Sequence, residues 1–250
     1  MKTATHADRP DLLAQFESME SGAFPTFMLH DSVWNNHWPL ILDAFPELQL
    51  YVIDEDTLAG VANTVPIAWD GSIDDLPASE HDVLSRALRD RDEDRTPNTL
   101  VAIQVAVADA YAGTDATRFA IQQAKGLCAD RGIDHLIAPV RPTLKHLYPT
   151  IEFARYIDWH RPDGLPFDPW IRTQVRGGAR RLAVCAEPMT FEGTVGDWES
   201  WTGLTLPESG DYVIDGALEL LSVNVEADHG RLKELNVWYC YDITAEEALR

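Results

Sequence analysis

Lysine is nearly missing from this sequence. It stands at positions 2, 125, 145 and 233 of a 250-residue chain that carries 41 Asp and Glu against 20 Lys and Arg, a formal net charge of -21. Contacts to a phosphate backbone need clustered Lys and Arg, so a nucleic-acid partner is not expected. Long apolar runs are missing too. None approaches the roughly 20 residues a membrane helix needs, and no membrane partner is expected. Met1 to Pro10 contains no apolar stretch of the signal-peptide kind, which points to the cytoplasm. Cysteine is sparse. Cys128, Cys185 and Cys240 are far apart, form no metal-ligand pattern and read as three buried thiols. A Ser-His-Asp elbow, a His-Glu-x-x-His helix, a P-loop and a dinucleotide fingerprint are all absent, so no metal is expected.

What is present suffices for one sizeable core. The apolar fraction is 45%, there is no repeat or low-complexity linker, and a single domain over 1–250 is the simplest organisation. The acidity leaves two readings open. One is a cationic partner or substrate. The other is a saline cytoplasm, where a carboxylate-rich, lysine-poor surface stays soluble and its self-repulsion is screened. The charge is spread along the chain, which favours the second.

The chain is organised around Asn98 to Phe153. Thr99 to Val107 is a β-branched and apolar run, the mark of a strand buried on both faces. A small-residue loop, Ala108 to Gly113, follows. Thr114 or Asp115 caps a helix that runs to about Arg131 and stops at Gly132. Ile133 to Val140 is a second buried strand. Pro142 and Thr143 start a short helix carrying Tyr148, and Phe153 to Trp159 reads as a third strand. Upstream, Pro10 to Met19 reads as a helix with Leu12, Leu13 and Phe16 at helical spacing. Ala23 to Leu29 reads as extended. Asp31 or Ser32 caps a helix to Phe45 that Pro39 either starts or kinks. Leu48 to Ile53 alternates as a half-exposed strand does. Leu58 to Ile67 is a strand with Gly60 as a bulge or close-approach point, and Asp74 to Arg95 reads as a surface helix. Downstream, Trp170 to Arg176 is a short helix capped by Asp168, and Arg180 to Ala186 a strand. Thr194 to Trp201 is a helix with a capping-box-like Thr194 and Asp197. Asp211 to Val213, Leu218 to Val225 and Leu235 to Tyr241 are short strands that finish the sheet. Ala245 to Arg250 reads as a frayed tail.

This order resembles the central part of the GCN5-related N-acetyltransferase (GNAT) superfamily. Leu147-Tyr-Pro-Thr-Ile-Glu-Phe153 is similar to that family's Leu-Tyr-x-x-x-Gly-Phe segment, with Glu152 in place of the Gly. Val107-Ala-Asp-Ala-Tyr111, leading into Ala112-Gly-Thr-Asp-Ala-Thr117, is a degenerate form of its Arg/Gln-x-x-Gly-x-Gly/Ala loop. One Gly survives, the Arg is gone, and Asp115 stands at a Gly position. The resemblance covers about 25–160 and leaves 161–250 as an elaborated C-terminal half. It implies an α/β fold, a mixed and mostly antiparallel sheet flanked by helices. It also implies an acyltransferase that uses acetyl-coenzyme A or another acyl-coenzyme A and acts on an amine of a small molecule. The alternative is a member that has lost the coenzyme and binds a ligand, or runs another reaction in the same cleft.

The resemblance also implies roles. The pantetheine arm would lie along Gln104 to Val107, with Gln104, Val105 and Val107 as contacts. The pyrophosphate would sit on the amides of Gly113, Thr114 and Thr117, where a helix N-terminus offers free N–H groups and a positive dipole end. Tyr148 would protonate the leaving thiolate. The residues themselves add that Arg141, Lys145, Arg155 and Arg161 gather in an otherwise acidic chain. Arg141, after a buried strand, suits a substrate carboxylate or phosphate. Glu152, beside Tyr148, would border the substrate. Candidates for a base are Asp70, Gln104 through water, His135, His146 and Glu152. The eight tryptophans read mostly as packing. Oligomeric state stays open, a homodimer included.

The salt reading is testable by calorimetric melting. If the acidity is an adaptation to salt, the melting temperature rises steeply from dilute buffer to molar KCl. A protein most stable in dilute buffer would contradict it.

Overall fold

The computed structural model describes residues 1–243, so the expected tail at Ala245 to Arg250 lies outside the described residues. In chain order the elements are β1 (Lys2–Thr5), α1 (Leu13–Ala23), α2 (Ser32–Ala44), β2 (Gln49–Asp54), β3 (Thr57–Ile67), α3 (Glu80–Asp92), β4 (Thr99–Val107), α4 (Ala116–Asp130) and β5 (His135–Val140). Then follow α5 (Phe153–Ile157), α6 (Pro169–Arg176), β6 (Arg180–Val184), β7 (Met189–Gly193), α7 (Val195–Thr202), β8 (Gly210–Tyr212), β9 (Leu221–Asn224), β10 (His229–Glu234) and β11 (Val237–Asp242). The main sheet has seven strands in the order β1-β2-β3-β4-β5-β11-β6. Every pairing in it is antiparallel except β4 with β5. No helix of the described residues is long and apolar enough to cross a membrane.

Helices cover both faces of this sheet, and that corrects one expectation. Leu48 to Ile53 alternates in sequence as a half-exposed strand would, yet Gln49 to Ile53 is buried throughout. Leu50 and Val52 face the main core with Ala120, Ile121 and Ala124 of α4. Tyr51 and Ile53 face Leu12 and Phe16 on the α1 side. Gly60 sits where β3 presses on β4: a Cβ there would lie 2.7 Å from the Ala106 carbonyl oxygen. α2 runs through Pro39 without a break, capped by Asp31, whose Oδ1 accepts from the N–H of Val33 at 2.9 Å and of Trp34 at 3.1 Å.

Three further expectations change. Ala23 to Leu29 is not extended but contains a 3-10 turn, Thr26–His30, that plants Phe27 in a second core. Phe153 to Ile157 is a helix and not a strand. Its one-sided burial, with Phe153, Tyr156 and Ile157 inside, has helical rather than twofold spacing. The C-terminal half only partly completes the main sheet. β6 and β11 join it, whereas β7, β10, β9 and β8 form a separate antiparallel sheet. That sheet closes on Phe27, Phe191, Trp198, Leu221 and Leu232. The capping box of α7 is as the sequence suggests.

Buried charges tie the two sheets together. Arg141, at the end of β5, donates to Glu234 of β10 through Nε at 2.7 Å and Nη2 at 3.1 Å, and to the Gly216 carbonyl at 2.7 Å. Glu234 is 0% exposed and also accepts from the Leu218 N–H. Lys145, equally buried, donates to the Leu218 carbonyl at 2.6 Å and pairs with Glu219 at 3.0 Å.

Removing one partner of such a pair leaves an uncompensated charge. Glu234→Ala is therefore expected to cost about 3–5 kcal/mol in urea unfolding. The Arg141→Met, Glu234→Met double variant is expected to recover part of that. An unchanged midpoint for Glu234→Ala would contradict the joint.

Candidate active site

β4 and β5 part company early. Their parallel ladder covers Thr99 with His135, Leu100 with Leu136, and Val101 with Ile137. Beyond Val101, β4 continues to Val107 paired to β3, and β5 continues to Val140 paired to β11. The β3 partners of Ala102 and Gln104 are Thr64 and Asn63, so Ile103 is an extra residue, a bulge that bends the strand. The result is a V-shaped opening at the carboxyl ends of two parallel strands, where ligands of α/β sheets bind.

The loop after β4 forms the mouth. Asp109–Tyr111 makes one 3-10 turn, and the Tyr111 hydroxyl donates to Asp54 at 3.1 Å. Gly113 has φ +75°, a left-handed conformation that favours glycine. Thr114 Oγ1 donates to the Tyr111 carbonyl at 2.6 Å and accepts from the Ala116 N–H at 3.2 Å, so Thr114 rather than Asp115 caps α4. Asp115 points into solvent and pairs with Arg118 at 3.2 Å. The next first-turn amides of α4, starting with Thr117, have no partner within the helix. A cleft of about 480 Å³ adjoins the mouth, lined by Ala14, Ser18 and Gly22 of α1 together with Thr57, Val107 and Asp109.

Comparison with known proteins bears on this geometry. No protein-family model matches the sequence. The loading GNATL domain of CurA from Lyngbya majuscula superposes with a TM-score of 0.59 at 14% identity, over 97% of each chain. The GphF GNAT-like decarboxylase in complex with isobutyryl-CoA gives 0.61 at 13% identity, over 98% of this chain and 100% of that one. In sequence, arginine N-acetyltransferase avaD of Aspergillus versicolor is 27% identical over 240 residues, 86% of this chain and 82% of that protein. The chain has the GNAT-like fold of these structures and is similar in sequence to an N-acetyltransferase.

The remaining residues can be placed in that GNAT frame. Gln104, Val105 and Val107 lie on the diverging part of β4, and Gly113, Thr114 and Thr117 on the loop and first turn at the mouth. Tyr148 ends the short turn Lys145–Leu147. Its half-buried ring packs against Tyr156, Trp159 and Phe167 at centroid distances of 5.9, 5.0 and 6.0 Å. The four expected cations do not form one patch. Arg141 and Lys145 are held in the joints between the sheets, Arg155 is exposed on α5, and Arg161 pairs with Asp163. Glu152 is exposed at the start of α5 and caps nothing with its side chain.

Among the expected bases, His135 is at the opposite end of β5, paired with Asp242 at 3.2 Å. His146 is bonded to the Thr143 carbonyl, and Asp70 to the Ser72 N–H in a turn.

Three groups escape a reading by motif, and the first of them lies against β4. Glu20 of α1 accepts from Gln104 Nε2 at 2.9 Å, and Gln104 Oε1 accepts from the buried Asn63 at 2.7 Å. Burial raises the Glu20 carboxyl above its ordinary range, with Glu17 adding and the Gln104 hydrogen bond opposing. A signal was there: Glu20 falls four residues beyond Phe16 on the apolar stripe of α1, where a carboxylate is out of place. His81 Nε2 donates to the Asp31 carboxylate at 2.6 Å. Glu80 accepts from Asn236 at 3.1 Å, and burial pushes its carboxyl up to about 7, with Asp31 adding and His81, Asn236 and Arg141 opposing.

Glu80 gives a stability test whose sign is fixed. Its folded pKa lies above the ordinary 4.5, so the folded state holds the proton more tightly. Its contribution is most favourable below about pH 4.5 and is lost as the pH rises through about 7. At about 1.4 kcal/mol per unit, Glu80→Gln should gain on the order of 2–3 kcal/mol over the parent at pH 8 and little at pH 4. Urea unfolding at the two pH values checks this; an equal effect at both would contradict it.

Proposed function

We propose that this protein transfers an acyl group, in the first instance acetyl, from acyl-coenzyme A to an amine of a small molecule. The observation that carries the reading is the V between β4 and β5 with the N-terminus of α4 at its mouth. Between Ala102 and Val107 the β5-facing edge of β4 has left its ladder, and backbone groups in such a place seek partners. An extended amide-bearing arm supplies them as an added strand would. The α4 amides and the Thr114 and Thr117 hydroxyls suit a pyrophosphate. Support comes from the relative named as an arginine N-acetyltransferase and from the neighbour bound to isobutyryl-CoA.

When bound, the coenzyme supplies an acyl thioester. Gln104, Val105 and Val107 hold its arm, and Gly113, Thr114 and Thr117 hold its phosphates. Tyr148 hands its hydroxyl proton to the departing sulfur. Arg141 acts on the substrate side through Glu234, fixing the wall after β5, and Glu152 offers a carboxylate to a cationic acceptor. The amine nitrogen forms the new C–N bond as the C–S bond breaks.

Titration calorimetry with acetyl-coenzyme A and free coenzyme A, at low and at molar KCl, is the direct test. Saturable binding is expected, with Tyr148→Phe binding equally well and turning over about a hundredfold more slowly. No binding at either salt would overturn the reading in favour of a fold member without the coenzyme. Thiol release that needs no amine would favour a different reaction in the same cleft.

A further inference from the structure

We infer that Glu20 is the base that takes the proton from the acceptor amine, aimed by the hydrogen-bonded pair Gln104 and Asn63; this rests on the acyltransfer reading above. Glu20 comes from the α1 face of the sheet and meets β4 at Gln104, three residues past the last β4–β5 ladder pair, Val101 with Ile137. Its carboxylate therefore borders the stretch where the acyl arm would lie.

The amide chain has a direction. Asn63 Nδ2 donates to Gln104 Oε1 at 2.7 Å, and Gln104 Nε2 donates to Glu20 Oε1 at 2.9 Å. Both amides turn their donors toward the carboxylate, which favours the form that can accept a proton. One carboxylate oxygen is thereby fixed. The other makes no hydrogen bond to a described residue and is left to an incoming N–H. The charged neighbour from its own helix is Glu17, and the groups reaching toward it from the sheet are the neutral Gln104, in contact, and Asn63 behind it. No cation is among them, so the half-buried carboxyl is a better base than an exposed one.

The competing acids are placed less well. Glu80 is bonded to Asn236 beside β11, away from β4, and Asp31 is occupied by the α2 cap and His81. Glu152 is exposed.

The step balances. The amine nitrogen bonds to the thioester carbon and sheds a proton to Glu20 Oε2. The C–S bond breaks, its electron pair stays on sulfur, and sulfur takes a proton from Tyr148. Glu20 and Tyr148 are restored by proton exchange with water.

The test uses the full chain, acetyl-coenzyme A and a pooled set of amino acids and polyamines as acceptors, with thiol release as the readout. Glu20→Gln should keep acetyl-coenzyme A affinity and the melting temperature, or raise the latter. It should lower kcat about a hundredfold and abolish the acidic limb of the kcat/KM profile. Gln104→Leu, which removes the hydrogen bond that favours the ionised form, should move that limb to higher pH. Coenzyme binding with unchanged kcat and an unchanged limb in Glu20→Gln would overturn the assignment alone. Absence of coenzyme binding, or of thiol release with every acceptor, would overturn the functional reading and this assignment with it.

Discussion

The parting of β4 from β5 after Val101 is the constraint on which the rest of the site depends. A parallel pair that stayed in register to its end would satisfy both strands with each other and leave no room between them. Here the ladder stops after three residue pairs, and the bulge at Ile103 turns β4 away. The strand stays ordered because β3 pairs with it along its whole length and α1 packs across its end. Gly60 is the accommodation that lets β3 come close enough, since a side chain there would strike the Ala106 carbonyl. The opening is thus held by antiparallel pairing on one side of each strand and left unpaired on the other.

The shortage of cations shapes the remainder. With 20 Lys and Arg against 41 acids, the chain still places two cations in internal joints, Arg141 on Glu234 and Lys145 on Glu219, and a third, Arg86, beside Asp75 and Asp90. Buried ion pairs add little net stability but are costly to break, so they fix geometry more than they deepen the well. They set the second sheet against the end of β5. The surface keeps the excess of carboxylates, a field that draws cationic small molecules and repels anions at low salt.

Much of this was legible from residues 98–153, where local signals agree. The run Thr99 to Val107 is β4 to the residue, and Gly132, with φ +64°, ends the turn after α4. Legibility failed where burial is decided by distant chain. Leu48 to Ile53 looked half-exposed because its polar residue, Gln49, is buried by bonding two backbone carbonyls. Phe153 to Trp159 is rich enough in aromatics to suggest a strand, and only its packing sends it helical. β7 went unread because its partner, β10, is far away in sequence. The partner of Arg141 was illegible because nothing local reveals Glu234, 93 residues away. Glu20 is the converse: helical spacing alone put a carboxylate on a buried stripe, and the structure supplies its partner.

Asp115 shows how a charge placed by sequence at the mouth of the loop can be turned elsewhere by geometry. At the loop's glycine position its charge should repel pyrophosphate. In place it neither caps α4 nor turns toward the amides; it pairs with Arg118, and both side chains are about three-quarters exposed. An exposed pair of this kind is worth about 0–1 kcal/mol. Such a pair holds Arg118 weakly, so an anion arriving at the α4 N-terminus competes for that guanidinium at small cost.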